Sequence, residues 1–124
     1  MATVTRSYTK TIARNGAGGI DAEIVQWTSI DSDDDGNAYE NASFTDRSVQ
    51  VSGTFGAAGS VSIRGSNDGT NYAVLTDPQG NALDFTAAKI EQISEATRYV
   101  KPVATAGDGT TDLTVTLMAV RRYR

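Results

Sequence analysis

The plainest signal along this chain is alternation of apolar and polar positions. From Arg47 to Phe55, Val49, Val51 and Phe55 are apolar while Ser48, Gln50, Ser52 and Thr54 are polar, the period of a half-buried β-strand. Val61 and Ile63 repeat the pattern with Ser62 and Arg64 outside, and at the C-terminal end Leu113, Val115, Leu117 and Ala119 alternate with Thr114, Thr116, Met118 and Val120. Shorter β-forming runs lie at Ala22 to Ile30, Tyr72 to Leu75 and Thr97 to Ala104. Burial falls to Ile24, Val25, Trp27 and Ile30 in the first of these, and to Tyr99, Val100 and Val103 in the last. Turn chemistry punctuates the runs at Gly56 to Gly59, Asn67-Asp68-Gly69, Asp77-Pro78-Gln79-Gly80 and Asp108-Gly109. Gly53, at an inward position, predicts a bulge or a close backbone approach, and Pro102 pushes its strand toward an edge or a strand end. Thr86 to Ile93 reads differently: a Thr cap followed by Ile90 and Ile93, three apart, predicts one short helical turn. Some seven strands at intervals of about ten residues predict an all-β fold, a single antiparallel β-sandwich of jelly-roll or Ig-like type, with a small barrel as the alternative.

The first strand stands apart. Val4, Arg6, Tyr8, Lys10 and Ile12 share one face of any extended segment and threonines and a serine fill the other, so neither face is properly apolar. A Gly-rich break, Asn15 to Gly19, follows it. Residues 1–20 are therefore expected as an N-terminal arm or an edge strand, and 21–124 as the sandwich domain.

Composition narrows the chemistry. With 124 residues there is room for one domain, and the sequence holds no Cys and no His. Disulfides, thiolate catalysis, zinc-thiolate sites and Ser-His-Asp or Cys-His machinery are excluded together. No apolar run approaches the roughly 20 residues of a membrane span, and the expectation is a protein made in a cytoplasm with no membrane partner. The net charge of −4 is unevenly spread: residues 21–46 carry eight acids and no base, whereas residues 1–20 carry three bases and no acid, as do the last six. An acidic chain lacks the concentrated basic face that neutralises phosphates, so no specific nucleic-acid binding is expected. The basic ends, with Arg121, Arg122 and Arg124 at the C-terminus, suit contacts between subunits or with another acidic surface.

Within the acidic stretch, Asp31, Asp33 and Asp35 followed by Gly36 imitate the first half of a calcium loop. The twelfth position, where a bidentate Glu belongs, is Ala42. A solvated acidic loop is the competing reading, so the expected cofactor is none, with calcium the one candidate. Trp27 is expected in the core, with stacking on a sugar as its alternative.

The ordered blocks Val49-Gln-Val-Ser-Gly-Thr-Phe-Gly56, Gly65-Ser-Asn-Asp-Gly-Thr-Asn-Tyr72, Leu75-Thr-Asp-Pro-Gln-Gly-Asn-Ala82, Arg98-Tyr-Val-Lys-Pro-Val103 and Gly107-Asp-Gly-Thr-Thr-Asp-Leu-Thr-Val-Thr-Leu117 resemble small structural proteins of tailed bacteriophages. The resemblance spans roughly residues 46–121 and implies a β-sandwich virion component, either a head decoration (cement) protein or a tail or fibre part. Decoration asks for a small rigid domain without catalysis and for multivalent contacts, which the arm and the basic ends suit. The expectation is a non-enzymatic virion protein on the outer head surface, bound to the major capsid protein and homo-oligomeric, with a trimer favoured. Its expected contact residues are Val4, Arg6, Tyr8, Lys10, Ile12, Arg121, Arg122 and Arg124. The alternative is a tail or fibre module recognising a host glycan, with or without an ion, with Trp27, Tyr39 or Tyr72 stacking on sugar.

Overall fold

Alternation on the scale of single strands becomes, in three dimensions, two sheets packed over one core. The computed structural model describes residues 4–14 and 20–121. Every regular element in them is a strand: β1 (Thr5–Arg6), β2 (Tyr8–Arg14), β3 (Ile20–Ile30), β4 (Asp35–Gly36), β5 (Tyr39–Glu40), β6 (Asp46–Thr54), β7 (Ser60–Ser66), β8 (Ala73–Val74), β9 (Asp84–Phe85), β10 (Lys89–Ile93), β11 (Tyr99–Ala106) and β12 (Asp112–Val120). One sheet has the order β10-β6-β12-β3-β2 and is built of the longer strands alone. The other runs β1-β4-β11-β7-β8, with β5 beside β11 and β9 beside β7, so two long strands carry five two-residue pieces. All pairings are antiparallel except β1 with β4.

The core is what the alternation assigns. Val49, Val51, Val61, Ile63, Leu113, Val115 and Leu117 are all buried, joined by Tyr39 of β5, Phe85 of β9 and Phe44, Leu75 and Leu83 from the connecting segments. Such interdigitated aliphatic and aromatic burial is the main source of stability, at about 25 cal/mol per Å² removed from water. Ile24 departs from its expected place, because β3 alternates with Val25 and Trp27 inward, which leaves Ile24 on the outer face. A bulge then restores Ile30 to the core: Trp27 pairs with Val115 and Ile30 with Leu113, so three steps on β3 face two on β12, and Ser29 takes φ 58° to absorb the extra residue.

Several local expectations change once the register is known. The helical turn expected over Thr86 to Ile93 is absent; Lys89–Ile93 is an edge strand on β6, with Ile90 opposite Gln50 and Ile93 opposite Arg47. Pairing satisfies the backbone and sends Ile93 into the core and Ile90 to solvent, a separation that a helix would not produce. The Asn67-Asp68-Gly69 reversal is a six-residue loop, 67–72, organised by Asp68, which accepts hydrogen bonds from the N–H groups of Thr70 and Asn71. Pro102 sits in an interior strand. Ala104 donates its N–H to the Asp34 carbonyl, so the same side of Pro102 looks at the gap between β4 and β5, where no ladder partner is needed.

Gly53 and Gly36 are each required by contact. A Cβ at Gly53 would lie 2.4 Å from the Asp112 carbonyl oxygen, in line with the close approach expected there, and φ is +111°. A Cβ at Gly36 would lie 2.6 Å from Pro102 and 2.8 Å from Trp27. Gly36→Ala should therefore destabilise the fold by about 1–3 kcal/mol through overpacking. Gly109→Ala, where a Cβ meets nothing within 4 Å, should stay within about 0.5 kcal/mol of wild type; urea unfolding of both variants measures the difference.

Candidate functional site

The N-terminal residues expected to reach a partner are largely engaged within the fold. β1 lies on the edge of one sheet and β2 on the edge of the other, so the chain crosses between sheets at Ser7. Arg6 donates from Nε to the buried Asp34 carboxylate at 2.7 Å and from Nη2 to Asp31 at 3.5 Å. Asp34 also accepts from the N–H groups of Asp31 and Val4. The Tyr8 ring meets Trp27 edge-on at 5.6 Å and Tyr39 at 6.1 Å. Lys10 pairs with Glu23 at 3.5 Å. Only Val4 and Ile12 of this set present large exposed apolar side chains, 42% and 40% exposed. Arg121 is exposed and its guanidinium lies 4.9 Å from the centre of the Phe44 ring; Arg122 and Arg124 lie outside the described residues.

The acidic loop is not arranged as a calcium cradle. Asp31 and Asp34 turn toward Arg6, Asp35 bonds Lys101 Nζ at 3.1 Å, and Asp33 is exposed. Among the described residues no three acidic groups converge on a point that would hold a metal. The expected site residues Asp31, Asp33 and Asp35 are thus dispersed, because the tight turn and the short β4 point successive side chains in different directions.

At one end of the sandwich a polar network is buried. Glu23 Oε1 accepts from the Tyr39 hydroxyl at 2.5 Å and from the Asn41 amide at 2.8 Å. Burial pushes the Glu23 pKa up, but Tyr39, Asn41 and Lys10 outweigh it and hold the carboxyl below its ordinary range. Burial, and then the bond to Glu23, carries the Tyr39 hydroxyl far above the usual phenol range. Arg47, 1% exposed, donates to the carbonyls of Phe44, Thr97 and Asn41, and burial lowers its pKa. These groups tie connecting segments to the sheets; their hydrogen-bonding capacity is spent inside the protein.

The aromatic side chains named as candidates for stacking on sugar are also occupied. Trp27 and Tyr39 are each 1% exposed, and Lys101 Nζ sits 4.4 Å from the centre of the Tyr72 ring.

What remains open is the outer face of the five-stranded sheet. Its register sets Ile90, Gln50, Thr116, Gln26 and Thr9 in one row across five strands, and Gln92, Ser48, Met118, Ile24 and Thr11 in the next. Both rows are free of charge, in a chain that is 21% charged. Across them Ile24, Ile90 and Met118, with Ser48, Gln50 and Thr116, line a shallow depression of about 290 Å³. Ile90 is 60% exposed and Met118 42%. Alternation already marks Ser48, Gln50, Thr116 and Met118 as outward, whereas Ile24 reads as core and Ile90 as part of a helical turn; only the register reveals that these positions adjoin and that no charge interrupts them.

The architecture is similar to that of the SPBc2 prophage-derived protein YomS in its crystal structure, with a TM-score of 0.61 over 80% of this chain and 94% of that chain. Identity is 14%, so the likeness is one of fold. No protein-family model and no curated protein matches the chain.

The buried carboxylates set an acid limit on stability. Glu23 and Asp34 have folded pKa values below their unfolded ones, so their contribution is fully present above the unfolded values of 4.5 and 3.8 and is lost as pH falls through the lower folded values. The melting temperature should be nearly flat from about pH 6 to 9, where no side chain with an ordinary pKa titrates in the absence of His and Cys, and should fall below about pH 4.5. Arg6→Ala, which strips the charged donor from buried Asp34, should cost about 1–3 kcal/mol at neutral pH, with a smaller penalty at pH 3; thermal melts of both proteins across pH give both results.

Proposed function

We propose that this chain is a non-enzymatic structural protein of a bacteriophage virion, a capsid decoration (cement) protein. In this reading it is made in the host bacterial cytoplasm, binds the major capsid protein on the outer head surface and stabilises the shell through inter-subunit contacts as a homo-oligomer. The observation that carries the reading is the uncharged, apolar-centred outer face of the five-stranded sheet on a rigid sandwich. Such a face is built for a protein surface, since its apolar groups gain when water leaves them and its neutral polar groups cost far less to desolvate than charges once a partner supplies their hydrogen bonds. The likeness in fold to a prophage-derived protein and the ordered blocks between residues 46 and 121 support a phage origin.

An enzymatic role has little to work with. The sequence offers no His or Cys, and the carboxylates of Glu23, Asp34, Asp35, Glu40 and Glu91 are each held by a cationic side chain of the same chain. A glycan-binding tail module is disfavoured because Trp27 and Tyr39 are buried and Tyr72 is covered by Lys101.

Quantitative mass spectrometry of virions from the phage that encodes the chain tests the reading. The expected result is a fixed ratio to the major capsid protein that persists in tailless heads. Recovery with tails alone would replace decoration by a tail role, and absence from purified virions would overturn the whole assignment.

A further inference from the structure

The uncharged face has a property that points to its occupant. Ser, Thr and Gln side chains each both donate and accept hydrogen bonds, so rows made of them match a copy of themselves without needing a complementary partner. A charged partner surface would instead leave its own charges desolvated against neutral groups. Around the rows of hydroxyls and amides, Ile24, Ile90 and Met118 supply an apolar centre, and the acids of the middle strands, Asp46 and Asp112, stand at opposite ends of the face.

Size agrees with this assignment. Five strands at about 4.8 Å spacing and about six residues of pairing at 3.4 Å give a face of about 24 by 20 Å, or about 500 Å² per copy. Two copies would bury about 1,000 Å² in total, the lower limit for a specific interface. The sheet is also continuous: all five strands are long, whereas the opposite sheet is interrupted by two-residue pieces and carries Arg64, Lys101 and Arg98.

We infer that the outer face of the five-stranded sheet is the self-association surface of this protein, closing a two-fold pair in which the Met118 and Ile24 region of one copy packs on the same region of the other. The inference rests on the structural reading above for its biological use, but its physical content does not depend on that reading.

Sedimentation equilibrium of the full chain tests it, with four proteins measured up to about 1 mM, the weak end of specific affinities. Wild type should run at twice the 13.1 kDa of one chain. Met118→Glu, which places a charge at the centre of the face, should be monomeric with an unchanged circular dichroism spectrum. Val74→Glu, which removes an exposed apolar side chain from the other sheet, should remain paired. A monomeric wild type, a trimer, or a dimer that survives both Met118→Glu and Ile90→Glu would each overturn the assignment. The two proposals fail separately: a monomer found on virions refutes the pairing alone, and a face-dependent dimer absent from virions refutes the virion role alone.

Discussion

Trp27 closes the sandwich at its N-terminal edge, and the placement of the first strand follows from it. Its ring is buried between the sheets, its Nε1–H is donated to the Asn37 carbonyl at 2.9 Å, and Tyr8 covers it edge-on. Gly36 must lack a side chain because Trp27 and Pro102 fill the space that a Cβ would need. Tyr8 can reach Trp27 only if β2 runs along β3, and β1 can reach β4 only if the chain then changes sheets; Arg6 locks that crossing by bridging to Asp34. One indole therefore fixes two edge strands, a glycine and a salt bridge. An N-terminal segment that swings free as an arm would expose Trp27 and strand Asp34 without its cation.

The strands were legible in the sequence wherever one face is buried, because a period of two then has a thermodynamic cause. Val49, Val51, Val115 and Leu117 could be assigned inward from their neighbours alone, and the sandwich followed from the number and spacing of such runs. Legibility failed where a tertiary contact decides. Ile90 and Ile93 fit a helical turn as well as a strand until β6 is known to lie beside them, and Pro102 is admissible in an interior strand only because β4 and β5 leave a gap opposite it. The bulge at Ser29 explains why Trp27 and Ile30, three apart, are both buried; no local pattern announces it.

The surface was harder still. Charge marks out the arm, the acidic loop and the C-terminal arginines, yet most of the described charges in the arm and the loop are paired within the chain: Arg6 with Asp31 and Asp34, Lys10 with Glu23, Lys101 with Asp35. Opposite charges that occur in separate segments of sequence read as free until the fold brings them together. Neutral residues carry no such signal. Ser48, Gln50, Thr116 and Met118 look like ordinary outward positions one strand at a time, and their meaning arises from adjacency across β10, β6, β12, β3 and β2.

Pairing through that face restricts how the same protein would meet a shell. A two-fold axis that brings two sheets face to face lies in the plane between them, so the two interrupted sheets point in opposite directions and cannot both rest on one surface. What both copies present together to a surface perpendicular to the axis is a shared edge or a shared end of the sandwich. The β1–β2 edge is one such rim, and it is where Val4, Lys10 and Ile12 remain exposed while Arg6 and Tyr8 are half-buried against the fold. Capsid contact at this rim would then fall to Val4, Ile12 and the exposed Lys10 rather than to Arg6, and each pair would offer that edge twice, so two modest contacts act as one avid attachment.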